Sequence, residues 1–159
     1  MPTDISTVET LDIRPATDAD FALLARMNRE LIEDEGHRNP MTIAQLEARF
    51  RRFVSEDGYS VDLLLLDGEI AGYTTHRYEP DNAEPRGRRV FVRQFYIARG
   101  KRGGGLGRRA LERLIHTRFA EGDRVFLDVM ETNPGGKAFW ARTGFTPYST
   151  TMERVVRKS

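Results

Sequence analysis

The sequence contains no cysteine. That absence removes disulfides, thiolate zinc sites and a cysteine nucleophile from consideration. It also suits a reducing cytosol, so the chain is read as cytoplasmic. Long hydrophobic runs are missing too: no stretch approaches the ~20 consecutive apolar residues of a membrane-spanning helix, and no membrane partner is expected. The first ten residues are polar and carry acids, without the basic and apolar regions of a secretion signal. They read as a mobile arm over residues 1–10, ahead of a single domain over 11–159. An excess of either charge is lacking, since Lys and Arg total 25 against 24 Asp and Glu. Such a balance argues against a bulk polyanion binder, and no nucleic-acid partner is expected. Repeats and low-complexity tracts are absent as well. A chain of 159 residues nevertheless buries roughly 70% of its unfolded surface, enough for a core that needs no staples.

The charges that are present are unevenly placed. Arg86, Arg88, Arg89, Arg93, Arg99, Lys101, Arg102, Arg108 and Arg109 crowd one stretch, while Glu30, Glu33, Asp34 and Glu35 gather earlier. A local basic patch on a neutral chain points to a compact anionic ligand.

Leu11–Pro15 alternates apolar and polar residues and predicts a strand. Thr17 or Asp18 caps a helix that Gly36 ends. Thr42 opens a second helix carrying Ile43, Leu46, Phe50 and Phe53. Tyr59–Leu66 and Glu69–Tyr78 read as strands joined by Asp67-Gly68, a strong hairpin signal. After a polar loop, Arg89–Ile97 predicts a buried strand that is apolar on both faces. Leu106, Ala110, Leu111, Leu114, Ile115 and Phe119 recur at helical spacing. Arg124–Met130 predicts another strand, and Asn133 or Pro134 opens a short helix ending near Gly144. Phe145–Tyr148 and Thr151–Val156 predict two closing strands. The order defines a mixed α/β or α+β layered fold.

The most informative segment is Arg99-Gly-Lys-Arg-Gly-Gly-Gly-Leu-Gly-Arg-Arg109, between a buried strand and an amphipathic helix. Glycines let backbone N–H groups converge on a ligand, and the helix that follows offers its own unpaired N–H groups and positive dipole end. Lys101, Arg102 and Arg108 add charge. These parts make a pyrophosphate site. No G-x-x-x-x-G-K-[ST] string exists for a nucleotide triphosphate. Gly105-Leu-Gly-Arg-Arg-Ala110 fits a dinucleotide fingerprint, with Asp128 about twenty residues on. However, it stands about seven residues beyond the strand end and follows a hairpin meander, where the fingerprint needs the tight turn of a first βαβ unit.

Arg102-Gly-Gly-Gly-Leu-Gly107 resembles the R/Q-x-x-G-x-G/A pattern of the GNAT N-acetyltransferase superfamily. Phe95-Tyr96-Ile97 resembles that family's fourth strand. Ala138-Phe-Trp-Ala-Arg-Thr-Gly-Phe145, preceded by Asn133, is similar to its second motif, and Ile13-Arg-Pro-Ala-Thr-Asp18 to its opening. The resemblance spans Leu11 to Val156 in the family's order. It implies a three-layer fold with a central, mostly antiparallel sheet, splayed after strand 4, and helices on both faces. It further implies acetyl-CoA as co-substrate and no metal. The pantetheine arm would pair with Phe95, Tyr96 and Ile97. The pyrophosphate would sit on Arg102, Gly103, Gly104, Gly105, Leu106, Gly107 and Arg108, with Asn133, Phe139 and Trp140 flanking the arm and the sulfur.

The family reaction is direct attack of a neutral amine on the thioester, which suits a chain without cysteine. An oxyanion must be met by a preorganised donor, for which the resemblance implies a backbone N–H near Ile97. The amine must first lose a proton. Glu131, His76, Glu79, His37 or bound water could take it; Gln94, where many relatives carry a carboxylate, cannot. Trp140 stands where the family often carries an acidic tyrosine, and an indole N–H is too weak an acid to replace it. Tyr148, Tyr96 or Tyr73 could protonate the thiolate, water could, or the thiolate could leave unaided. Glu131, His76 and Tyr148 are the catalytic candidates carried forward. Glu35 and His37 border the expected acceptor site, where the neighbouring acids would attract a cationic acceptor, a small-molecule or peptidyl amine. The missing tyrosine and Gln94 also admit a second function, an acyl-CoA-binding regulator without turnover. Self-association as a homodimer stays open.

Overall fold

The Asp67-Gly68 pair does what its sequence promises. In a computed structural model, which describes residues 9–159, Asp67 and Gly68 take φ of 52° and 81°. Two successive positive φ values give the primed turn whose twist matches its flanking strands. That turn joins β2 (Ser60–Leu66) to β3 (Glu69–Pro80). β1 (Leu11–Pro15) pairs antiparallel with β2, and β3 pairs antiparallel with β4 (Arg88–Ile97). β5 (Val125–Phe126) lies parallel to β4, closing the order β1-β2-β3-β4-β5. The expected mobile arm over 1–10 lies outside the described residues except for its last two. Of these, Thr10 N donates to Asp67 Oδ1 at 2.8 Å.

Helices cover both faces. α1 (Phe21–Glu35) and α2 (Ile43–Ser55) lie on one side. Leu24, Met27 and Leu31 of α1 and Phe50 and Phe53 of α2 pack there on Leu63, Tyr73 and Tyr96 of the sheet. α3 (Leu106–Arg118) packs Leu106 and Ala110 on the other side, against Leu64, Ala71 and Ile97. Two helix ends follow the sequence, whereas Thr17 caps the 3₁₀ turn and Asp20 is the N-cap of α1. Thr42 caps α2 through a capping box with Gln45, and Gly36 ends α1 in the left-handed region. A short 3₁₀ turn at Asp18–Asp20 precedes α1.

Asp20 is buried, and it accepts from Arg14 Nη1 at 2.8 Å and from Thr17 N at 2.8 Å. The Arg14 hydrogen bond outweighs burial and holds the Asp20 carboxyl at about 2, against an ordinary value of 3.8. A depressed folded-state value stabilises the protein above the unfolded value, and that stability is lost as pH falls towards 2. Asp20→Asn is therefore expected to lower unfolding free energy by about 2 kcal/mol at pH 7. Denaturant melts of both proteins should converge between pH 4 and 2, and a pH-independent gap would refute the ionic origin.

The C-terminal third departs from the sequence reading. Arg124–Met130 was expected to form a full strand, but only Val125 and Phe126 pair with β4. Phe145–Tyr148 and Thr151–Val156 form no strands. Apart from a turn bond at Phe145, no backbone hydrogen bond joins them to other described residues. A strand exists through pairing and burial rather than through propensity alone. Here Tyr148 and Met152 stay 80% and 89% exposed, and no hydrophobic residue beyond Leu114 is buried.

Candidate active site

The site begins with a change of direction in β4. Thr75 faces Gln94 and His76 faces Val92, so Arg93 is an extra residue on β4. Such a bulge bends a strand and re-aims its side chains. Beyond it Tyr96 packs toward α1 and α2, and Phe95 and Ile97 toward α3. β5 has already left β4 at Phe91. The segment Phe95-Tyr96-Ile97 thus pairs with β3 on one edge, through Thr74, Tyr73 and Gly72, and has no strand on the other. That open edge is the splay expected after strand 4. Gly72 permits the pairing there, because a Cβ would run into the carbonyl oxygen of Tyr96 and come within 3.2 Å of Ile97 Cα.

The glycine loop lies at the end of the same strand. Gly103 and Gly105 have φ of 93° and 77°, and Gly105 is the N-cap of α3. A Cβ built on Gly103, Gly104 or Gly105 would meet nothing within 4 Å, so open space lies in front of their backbone. Gly107 differs: its Cβ would approach Phe139 at 3.1 Å, which brings α4 (Pro134–Arg142) tight against α3. Leu106 is buried in the core and Arg108 is exposed on the β1 side of α3.

Arg102 is held by the protein. Its Nε donates to the Ile97 carbonyl at 2.8 Å, its Nη2 donates to Asp34 at 2.7 Å, and it lies over the Tyr96 ring. Arg99 engages Glu33 and Asp34. Tyr96 donates to Glu30 in a short hydrogen bond. Burial and the Glu30 bond push the Tyr96 hydroxyl up to about 12. The acids at the end of α1 thus neutralise the loop arginines instead of facing a cationic ligand.

α4 supplies an aromatic wall. Trp140 sits 5.4 Å from Phe95, 4.9 Å from Phe139 and 5.2 Å from Phe145, edge on to each. Asn133 caps α4, its Oδ1 accepting from Gly136 N at 2.9 Å. Thr132 Oγ1 donates to the Glu35 carbonyl at 2.5 Å and fills the space beside Gly36. The end of α1 therefore meets the loop before α4 across the mouth of the splay.

The catalytic candidates do not converge. His76 is buried opposite Val92, five residues short of Ile97, with its ring on Phe119. Burial pushes its imidazole below its ordinary value. Glu131 is 83% exposed and pairs with Lys137 at 2.9 Å. Tyr148 touches only the Phe126 ring among aromatic partners. Glu79 pairs with Arg77 and Arg89. His37 accepts from Asn39 N in the α1–α2 loop. Glu35 is half-buried, and burial, then the charge of Asp34, push its carboxyl up. Among the described residues no group of three metal-ligating side chains occurs. Two features went unread in the sequence: the β4 bulge, marked only by the adjacent polar pair Arg93-Gln94 breaking the alternation of the strand, and the close approach at Gly72. A glycine inside a strand could have flagged the latter.

A five-stranded mixed sheet with helices on both faces, open beside β4 next to a glycine loop at a helix N-terminus, has the fold of the GNAT acetyltransferases. The model of the Acetyltransferase (GNAT) family matches residues 24–145, and the chain belongs to that family. An acetyltransferase from Thermus thermophilus is 28% identical, with a TM-score of 0.70 over 86% of this chain and 87% of that one. A predicted acetyltransferase with acetyl-CoA from Clostridium acetobutylicum is 17% identical, with a TM-score of 0.69 over 92% and 96%. The aminoglycoside N-acetyltransferase AAC(6')-Iy in complex with CoA is 13% identical, with a TM-score of 0.72 over 97% and 99%. No curated protein sequence matches the chain.

Proposed function

We propose that this protein transfers acetyl from acetyl-CoA to a primary amine by direct attack on the thioester. The observation that carries the reading is the unobstructed cradle of Gly103, Gly104 and Gly105 at the start of α3, next to the free edge of Phe95-Tyr96-Ile97. The pyrophosphate accepts from the loop N–H groups and the α3 N-terminus, and the pantetheine arm adds to β4 as a strand would. A backbone N–H at the open edge near Ile97 meets the oxyanion. Asn133, Phe139 and Trp140 flank the arm. Glu35 is the carboxylate whose surroundings best suit proton removal from the amine, because its raised value brings it nearer the working pH of a base. His76 and Glu131 fit that role less well, the first for its distance along β3 and the second for its Lys137 partner. The test is thiol release from acetyl-CoA across a panel of primary amines. Coenzyme A binding with no thiol released from any amine would favour the regulator instead.

Trp140 packs and does not donate a proton in this mechanism. Trp140→Phe should lower stability modestly, since the half-buried indole loses contact with Phe95 and Phe145. The pH profile of kcat, under saturating acetyl-CoA and with chemistry rate-limiting, should keep the same limbs. A large fall in kcat with unchanged coenzyme A affinity would instead assign the indole N–H to the sulfur or the oxyanion.

A further inference from the structure

Half-buried arginines in this protein are matched with carboxylates. Arg14, Arg29, Arg77, Arg88, Arg89 and Arg118 each have an Asp or Glu within salt-bridge distance. Among the described residues Arg49, equally half-buried, has none. Its Nη2 donates to the neutral carbonyl of Asn28 at 2.8 Å, and its Nε–H is buried without a partner. The charged groups that act on it are like-charged, Arg93 and Arg52. Arg49 and Arg93 lie over the same Phe53 ring, at 5.2 and 5.1 Å. Burial and the charges of Arg93 and Arg52 together push the Arg49 guanidinium below its ordinary value. Beneath α2 the Tyr73 hydroxyl is fully buried and also unpartnered, near enough to Arg49 for that charge to oppose the upward push of burial.

A buried cation beside other cations, with donors left unsatisfied, is costly unless an anion completes it. Space for one exists. Arg49 lines a groove of about 750 Å³ with Arg38, Arg52, His37, Asn39 and Gln45, and no carboxylate lines it. The groove starts at the α1–α2 loop, next to the end of α1 where Glu35 stands. Arg38 and Arg52 are themselves exposed and pair with Glu153 and Asp57. Their side chains can turn toward a ligand at little cost, because exposed ion pairs contribute little.

We infer that this groove binds an anionic group, a carboxylate or a phosphate, on the acceptor molecule, with the Arg49 guanidinium as its principal donor. The inference rests on the reading of the neighbouring cleft as the acetyl-transfer site. It reverses the charge expected from the acids of α1, which are occupied by Arg99 and Arg102. Planar guanidinium donors suit either anion, and the groove is of a size that holds a small molecule.

The binding test follows the side-chain Nε–H resonance of Arg49 by ¹⁵N NMR, assigned by its loss in Arg49→Lys. Coenzyme A is kept saturating so that the phosphate loop is occupied. Titration with inorganic phosphate or with acetate should shift this resonance saturably, and the stronger of the two identifies the preferred anion. No shift, or a shift no larger than those of arginines in the exposed C-terminal segment, would overturn the inference. The turnover test compares ethanolamine with O-phosphoethanolamine, and alaninamide with alanine, by thiol release. The favoured anionic amine should exceed its neutral partner about tenfold or more in kcat/KM, and Arg49→Gln should remove that margin. Arg49→Lys, which keeps the charge but loses the planar fork, should retain part of it. Equal rates within both pairs would refute the anion site while leaving acetyl transfer intact. A saturable shift of Arg49 with no thiol release from any amine would refute acetyl transfer while leaving the anion site intact.

Discussion

Gly105→Val is expected to reduce coenzyme A affinity by about 100-fold or more, equivalent to about 2.7 kcal/mol. Gly105 has a φ of 77° and caps α3. A β-branched residue in that region costs roughly 1–2 kcal/mol by itself. It would also place two methyl groups in the open space where the loop N–H groups are proposed to meet the phosphates. No protein atom stands within 4 Å of a Cβ there, so the fold has no clash to relieve. Calorimetry should report the lost affinity, while circular dichroism should report a native spectrum with a modestly lower Tm. Unchanged affinity would remove the phosphate site from this loop.

Gly72→Ala should produce a large loss of stability for the addition of a single methyl group. The new Cβ would collide with the Tyr96 carbonyl, which is backbone and cannot turn aside as a side chain can. Overpacking of a fixed core costs about 1–3 kcal/mol and occasionally more, and a backbone clash belongs at the upper end. A loss of about 3 kcal/mol corresponds to a fall in Tm of roughly 6–12 °C at this chain length. The surviving native molecules should also bind coenzyme A more weakly, because β3 positions the strand edge proposed to hold the pantetheine. Thermal denaturation followed by calorimetric titration separates the two effects. A Tm within about 2 °C of the parent would mean that β3 and β4 separate there without cost, contrary to the pairing of Gly72 with Ile97.

Much of this molecule was legible from residues alone. Hairpin, helix ends and glycine loop are local features, set by φ preferences, capping side chains and apolar spacing within a few positions of chain. Asp67-Gly68, Thr42 and Gly36 therefore read correctly. The catalytic candidates read less well, because proximity along the chain says little about which side chains share a cleft. His76 and Glu131 lie near the ends of the strands that the sequence predicts over Glu69–Tyr78 and Arg124–Met130. The fold buries the first against Phe119 and pairs the second with Lys137.

What the sequence determined by itself is the family, the order of elements through α4 and the glycine loop between β4 and α3, since each depends on short-range spacing. The tertiary structure decided the rest. It paired the α1 acids with Arg99 and Arg102 at the surface, placed Arg93 in a bulge, and left Arg49 without a carboxylate. It also kept Phe145–Val156 from pairing, although its β propensity had predicted strands. The physical reason is the same in each case. Charge pairing and strand pairing are completed by partners distant in sequence, so a residue's composition and spacing show what it can do, and only its neighbours in space determine what it does.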